Sequence, residues 1–135
     1  MAEANVEIVR RVFEAWREND PDAAFALMDE EIEWQPAEDE PETAKVHGKA
    51  GVEGLLLQWA NTFDDFRAEP IEFIDGDDCV VVPLRIMGRM QGSGAEVTIE
   101  ETHVFWVRDG KVVQVREFRT KAEGLRAAGL PDQPG

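Results

Sequence analysis

Residues 96–119 read EVTIEETHVFWVRDGKVVQVREFR, two apolar–polar alternations separated by Asp109-Gly110. A period of two marks β-strands, and Asp-Gly between two such runs marks a hairpin. In the first strand one face carries Val97, Ile99, Glu101, His103, Phe105 and Val107. The other carries Glu96, Thr98, Glu100, Thr102, Val104 and Trp106. Apolar content assigns the first set to the core. In the second strand Val113, Val115, Glu117 and Arg119 share one face, and Val112, Gln114, Arg116 and Phe118 the other.

Register decides which of these faces joins His103. A two-residue Asp109-Gly110 turn pairs His103 with Arg116. A three-residue Arg108-Asp109-Gly110 loop, with Gly110 left-handed in a bulge, pairs Phe105 with Val113, His103 with Val115 and Glu101 with Glu117. The second register matches apolar to apolar and is the one expected; a slip of one residue reverses the faces. On it the inner face carries Glu101, His103, Glu117 and Arg119. Charged side chains are seldom buried without partners. Either these four line a cavity that needs them, or the core stops short of that end of the sheet and they meet water, or Glu101, Glu117 and Arg119 close an ion network.

Outward from this hairpin the chain reads helices first, then strands. Val6, Val9, Phe13 and Trp16, with Val12, predict an amphipathic helix over 4–18. Asp20 caps a second short helix that opens on Pro21 and ends near Met28. Ile32 and Trp34 alternate with acidic residues as a brief strand, and residues 36–47 read as a loop. Val52, Leu55, Leu56, Trp59, Ala60 and Phe63 mark a third helix. Strands follow near 66–74 and 79–90, broken by Asp75-Gly76-Asp77 and Gly92-Ser93-Gly94. Thr120 and Glu123 form a capping box for a last helix that Gly129 and Pro131 end. The expected fold is α+β: a curved antiparallel or mixed sheet, largely a meander, with the helices on one face. One domain spans residues 1–135, its core about 4–129.

The chain carries 29 Asp and Glu against 14 Lys and Arg, a net charge of −15. An acidic surface repels phosphate backbones and anionic lipid, so nucleic-acid and membrane roles are disfavoured. No run approaches a membrane span, no signal-peptide pattern opens the chain, and Cys79 is the lone cysteine. The expectation is a cytoplasmic protein. One Cys and two His make no dense zinc-type cluster, and no metal or cofactor is expected.

The helix Val6–Trp16, Glu33-Trp34, His47-Gly48, the 52–63 helix, Ser93-Gly94 and the closing run from His103 to Glu117-Phe118 together carry a resemblance. In order and spacing, over roughly residues 4–129, the chain resembles the SnoaL-like proteins of the nuclear-transport-factor-like superfamily, which includes ketosteroid isomerase and limonene epoxide hydrolase. The resemblance implies a cone-shaped fold, a pocket between sheet and helices, and a homodimer formed through the sheet's outer face. It also implies that Glu117, seven residues past Gly110, is the general base, although the family residue there is usually Asp. The chain has no tyrosine. The tyrosine-based oxyanion hole of ketosteroid isomerase is therefore excluded. So is the Tyr that positions water in limonene epoxide hydrolase; its Arg has a counterpart only if Arg85 turns inward.

Two carboxylates facing each other disfavour each other's charge and tend to share a proton, which suits Glu117 as base and Glu101 as donor. His103 then supplies a second proton transfer or orients the pair. Arg119 holds an anionic group or neutralises Glu117. Trp34 forms a pocket wall whose indole N–H needs a polar partner, and His47 is a pocket-mouth contact or a turn residue. Trp16 and Trp59 read as core. Val104, Trp106, Val112 and Phe118 form an outer patch that a second copy would cover. The expected ligand is a hydrophobic small molecule carrying oxygen functions. Three functions fit: an isomerase, cyclase or hydrolase working by acid/base chemistry; a non-catalytic binding domain; or a structural dimerisation module.

Overall fold

Helix α1 (Ala2–Arg17) lays Val9, Val12 and Phe13 against the sheet, the stripe expected from the sequence. The computed structural model describes residues 2–37 and 45–131, with the side chains of residues 2, 3, 59 and 60 outside the described set. Most of the 36–47 loop and the Trp59 side chain therefore lie outside it. Helix α2 (Pro21–Ala26) starts where Asp20 accepts a hydrogen bond from the Ala23 amide at 3.2 Å. Strand β1 (Met28–Gln35), the short β2 (Val46–His47), helix α3 (Gly48–Thr62), β3 (Phe63–Pro70) and the short β4 (Ile74–Asp75) follow. Then come β5 (Cys79–Met90), β6 (Glu96–Arg108), β7 (Lys111–Phe118) and helix α4 (Lys121–Ala127), which carries the capping box of Thr120 and Glu123.

The sheet is mixed, in the order β2-β1-β7-β6-β5-β3, with β4 on β5. Only its second half is the expected meander. Strand β1 returns to the far side and pairs in parallel with β7, Trp34 lying beside Val115. Its concave face packs Met28, Ile32 and Trp34 of β1, Val80, Val82, Leu84 and Ile86 of β5, Phe105 of β6 and Val115 of β7 against α1 and α3. Trp16, partly buried, packs against that core, and its ring meets Phe13 edge-on at 5.4 Å.

The register of the last hairpin corrects the expected one. Asp109 and Gly110 both have positive φ, 52° and 76°, and make a two-residue turn closed by Arg108 opposite Lys111. A bulge follows at once: Val107 pairs with Val112 but Trp106 with Gln114, which leaves Val113 as the extra residue. Beyond it Phe105 faces Val115 and His103 faces Glu117. The result differs from the expected register by two residues. A two-residue shift preserves side-chain parity. Glu117 therefore stays on the His103 face, but directly opposite His103 rather than Glu101.

Two further expectations are overturned. Helix α4 packs on the opposite, convex face, where Leu125 joins Cys79, Val81 and Val104. Contact is so close that a Cβ on Gly124 would stand 2.6 Å from Cγ2 of Thr102. The outer patch is thus not as read: Val104 is fully buried beneath α4, with Trp106 and Phe118 half-buried at its margin. Val112 belongs to the concave core, because the bulge sets Val112 and Val115 on the same face.

Candidate active site

Three polar side chains interrupt the apolar concave wall. Glu101, His103 and Glu117 are 7%, 5% and 4% exposed, and each has a ligand-capable atom within 4.8 Å of the others. Strand alternation places Glu101 and His103 side by side on β6, and the cross-strand pair sets Glu117 opposite His103.

Each member has a defined partner. His103 Nε2 lies 3.0 Å from Glu101 Oε1. Trp34 Nε1 donates to Glu117 Oε2 at 2.6 Å, a buried bond between strands 83 residues apart in sequence. The Trp34 ring also stands edge-on to His103, with centroids 6.2 Å apart, and Phe105 lies 6.4 Å from both. Among the described residues His103 Nδ1 is buried with no hydrogen-bond partner. A carboxylate gripped by an indole N–H, beside a carboxylate–imidazole pair, in a wall of aromatic and aliphatic carbon, can hold a ligand's polar end and move protons.

Not every residue expected at the site is brought to it. Trp34 joins the cluster. His47 pairs with Glu33 across β1 and β2, on the face away from Trp34, where its exposed ring approaches Glu31 at 3.5 Å. Arg119 follows the end of β7, where it is exposed and has an interaction partner. Arg85 points to the convex side and donates to Glu100 at 3.1 Å, so it offers nothing to the concave wall. What sequence reasoning missed was the identity of the Trp34 partner, which depends on the parallel β1–β7 pairing.

Two open surface grooves, of about 440 and 410 Å3, lie elsewhere. One is lined by Arg67, Arg89 and Glu96, the other by Glu31, Glu33 and Arg108. Neither includes Glu101, His103 or Glu117. No helix of the described residues is long and apolar enough to cross a membrane.

A family model described as a SnoaL-like domain matches residues 9–115. No curated protein matches the sequence. Among solved structures the chain is similar to an NTF2-like protein from Burkholderia thailandensis E264, with 22% identity, 94% of this chain and 98% of that one covered, and a TM-score of 0.78. It is similar to TerC co-crystallized with polyporic acid (22% identity, 93% and 98% covered, TM-score 0.76). A protein of ketosteroid isomerase-like fold from Catenulispora acidiphila DSM 44928, in complex with trimethylamine, matches at 16% identity, 95% and 98% coverage and a TM-score of 0.72. At these identities the likeness is one of fold.

Proposed function

Because this chain belongs to the SnoaL-like domain family, we propose that it binds a small, largely apolar molecule against its concave sheet face and transforms it by acid/base chemistry. Glu117 is the base in this reading, and Glu101 and His103 handle the second proton. The observation that carries it is the Trp34–Glu117 bond of 2.6 Å at the centre of the buried cluster. A buried carboxylate costs several kcal/mol unless its surroundings stabilise it, so a wall that retains one here retains it for interactions that carbon cannot make. Isomerisation, cyclisation and hydrolysis all need a proton moved between a substrate atom and such a group, and none needs a cofactor beyond these residues. The TerC and trimethylamine complexes support the idea that this fold accommodates small organic molecules.

The test is turnover of oxygenated, apolar substrates with Glu117→Gln, a near-isosteric change that removes the basic group. Activity abolished with binding retained supports Glu117 as base; unchanged turnover removes it from that role. A second reading, a non-catalytic binding domain, is favoured by the cluster's closure and by the absence of any tyrosine. Binding of the same compounds without conversion by the wild type would establish it. The homodimer and cytoplasmic location belong to the same reading; Trp106 and Phe118 are what remains of the outer patch to form an interface.

A further inference from the structure

We propose that Glu101 and His103 form a carboxylate–imidazole dyad in which Nδ1 of His103 is a second proton acceptor of the site, with Glu101 as its positioning residue. The inference rests on the premise that the cluster meets a ligand, and it adds to that premise which atom receives the ligand's proton.

With Glu101 ionised, the 3.0 Å approach of Nε2 to Oε1 requires a proton on Nε2, since two lone pairs at that distance repel. The ring then has two forms. As an imidazolium it buries an Nδ1–H that has no hydrogen-bond partner among the described residues, Glu117 Oε1 being likewise without one and so not bonded to it, and an idle buried donor costs about 1–3 kcal/mol. As the neutral Nε2–H tautomer it leaves only a lone pair at Nδ1, and buried acceptors are left unmatched more cheaply than buried donors. Protonating Glu101 to donate to Nε2 would move the ring proton to Nδ1 and restore the same idle donor. The Nε2–H tautomer is thus the one form that buries no unmatched N–H.

This assignment also states what the ligand brings. The N–H of Trp34 is committed to Glu117, and that of His103 to Glu101. The imidazole thus presents an acceptor, and the complementary ligand presents a hydroxyl or N–H there. In the chemical step the ligand's X–H bond breaks, its electron pair stays on X, and an Nδ1–H bond forms. The imidazolium charge created is faced across Nε2 by the Glu101 carboxylate. The proton returns to another ligand atom or passes to water, which restores the neutral ring. Glu117, directly across the strand pair from His103, is the separate acceptor. Two acceptors of unlike chemistry on adjacent strands suit a reaction that moves a proton between two positions of one molecule.

The experiment reads the tautomer and needs no substrate. Long-range 15N–1H correlation spectra of the full chain at neutral pH distinguish Nε2–H, Nδ1–H and doubly protonated rings. The chain has two histidines, so His47→Asn leaves one ring signal and assigns it. The expected result is the Nε2–H form in ~tenfold or greater excess, the ratio set by the cost of an idle buried donor; an Nδ1–H or doubly protonated ring overturns the proposal. Glu101→Gln should mix the tautomers while the fold persists, a change that a purely structural role for Glu101 would not produce; an unaltered tautomer removes Glu101 from its positioning role. Should that variant fail to fold, the wild-type spectrum still decides. A negative result here leaves Glu117→Gln turnover untouched, so the two readings fail separately.

Discussion

Trp34 and Glu117, 83 residues apart, are joined by a single buried hydrogen bond of 2.6 Å that links the N-terminal strand β1 to the last strand β7. Hydrogen bonds to charged groups contribute more than neutral ones. Trp34→Phe keeps an aromatic ring in the wall and removes this donor. It should cost about 2 kcal/mol, read as a lower urea midpoint at unchanged slope. In a Glu117→Gln background the same substitution should cost less, because the acceptor is then neutral. Equal costs in the two backgrounds would show that the bond is not charge-assisted.

Glu117→Gln tests the chemistry. General-base catalysis contributes typically ~100-fold or more, so turnover by a catalytic protein should fall by at least that factor. The amide oxygen can still accept from Trp34, so circular dichroism and melting should change little.

The closeness of α4 to the convex face gives a packing prediction. Gly124→Ala would set a methyl 2.6 Å from Thr102 Cγ2, and overpacking of this kind costs about 1–3 kcal/mol. Thr102→Ser deletes that methyl. The double variant should recover most of the loss in a thermal melt, a coupling that independent sites would not show.

Cys79 makes stability depend on alkaline pH. Burial, aided by Asp78, Asp75 and Asp77, pushes its thiol from 9.0 up to about 11. The folded state favours the neutral thiol, so the contribution is fully present below pH 9 and is lost as pH rises through 11. The loss is on the order of 2 kcal/mol. Comparing the wild type with Cys79→Ala in urea at pH 8 and pH 10.5 checks it: the variant should have the flatter alkaline limb. Iodoacetamide at pH 8 should leave the native thiol largely unmodified.

Trp106 bears on assembly. It stays half-buried at the margin of α4, so Trp106→Glu should turn a dimer into monomer in sedimentation velocity. A dimer that survives the substitution places the interface elsewhere.

Much of this architecture could be read locally. The helical stripe of Val9, Val12 and Phe13, the Asp20 cap and the Thr120–Glu123 capping box each depend on neighbours within a few residues. The face shared by Glu101 and His103 follows from strand alternation alone. Strand β5, apolar on both faces, also carried the signal that both sides of the sheet are covered, although not by which element.

Register was different. A left-handed two-residue turn and a bulge at Val113 combine into a two-residue shift, and no local pattern distinguishes that combination from a longer loop. The sequence by itself therefore determined that Glu101 and His103 share one face, whereas Glu117 joins them only because the actual register differs from the expected one by two residues and not by one. Only the tertiary structure decided that His103 stands opposite Glu117, that Trp34 supplies the N–H it accepts, and that α4 closes the convex face. Those contacts join segments distant in the chain, and their geometry is set by how strands pair and layers pack rather than by the residues on either side.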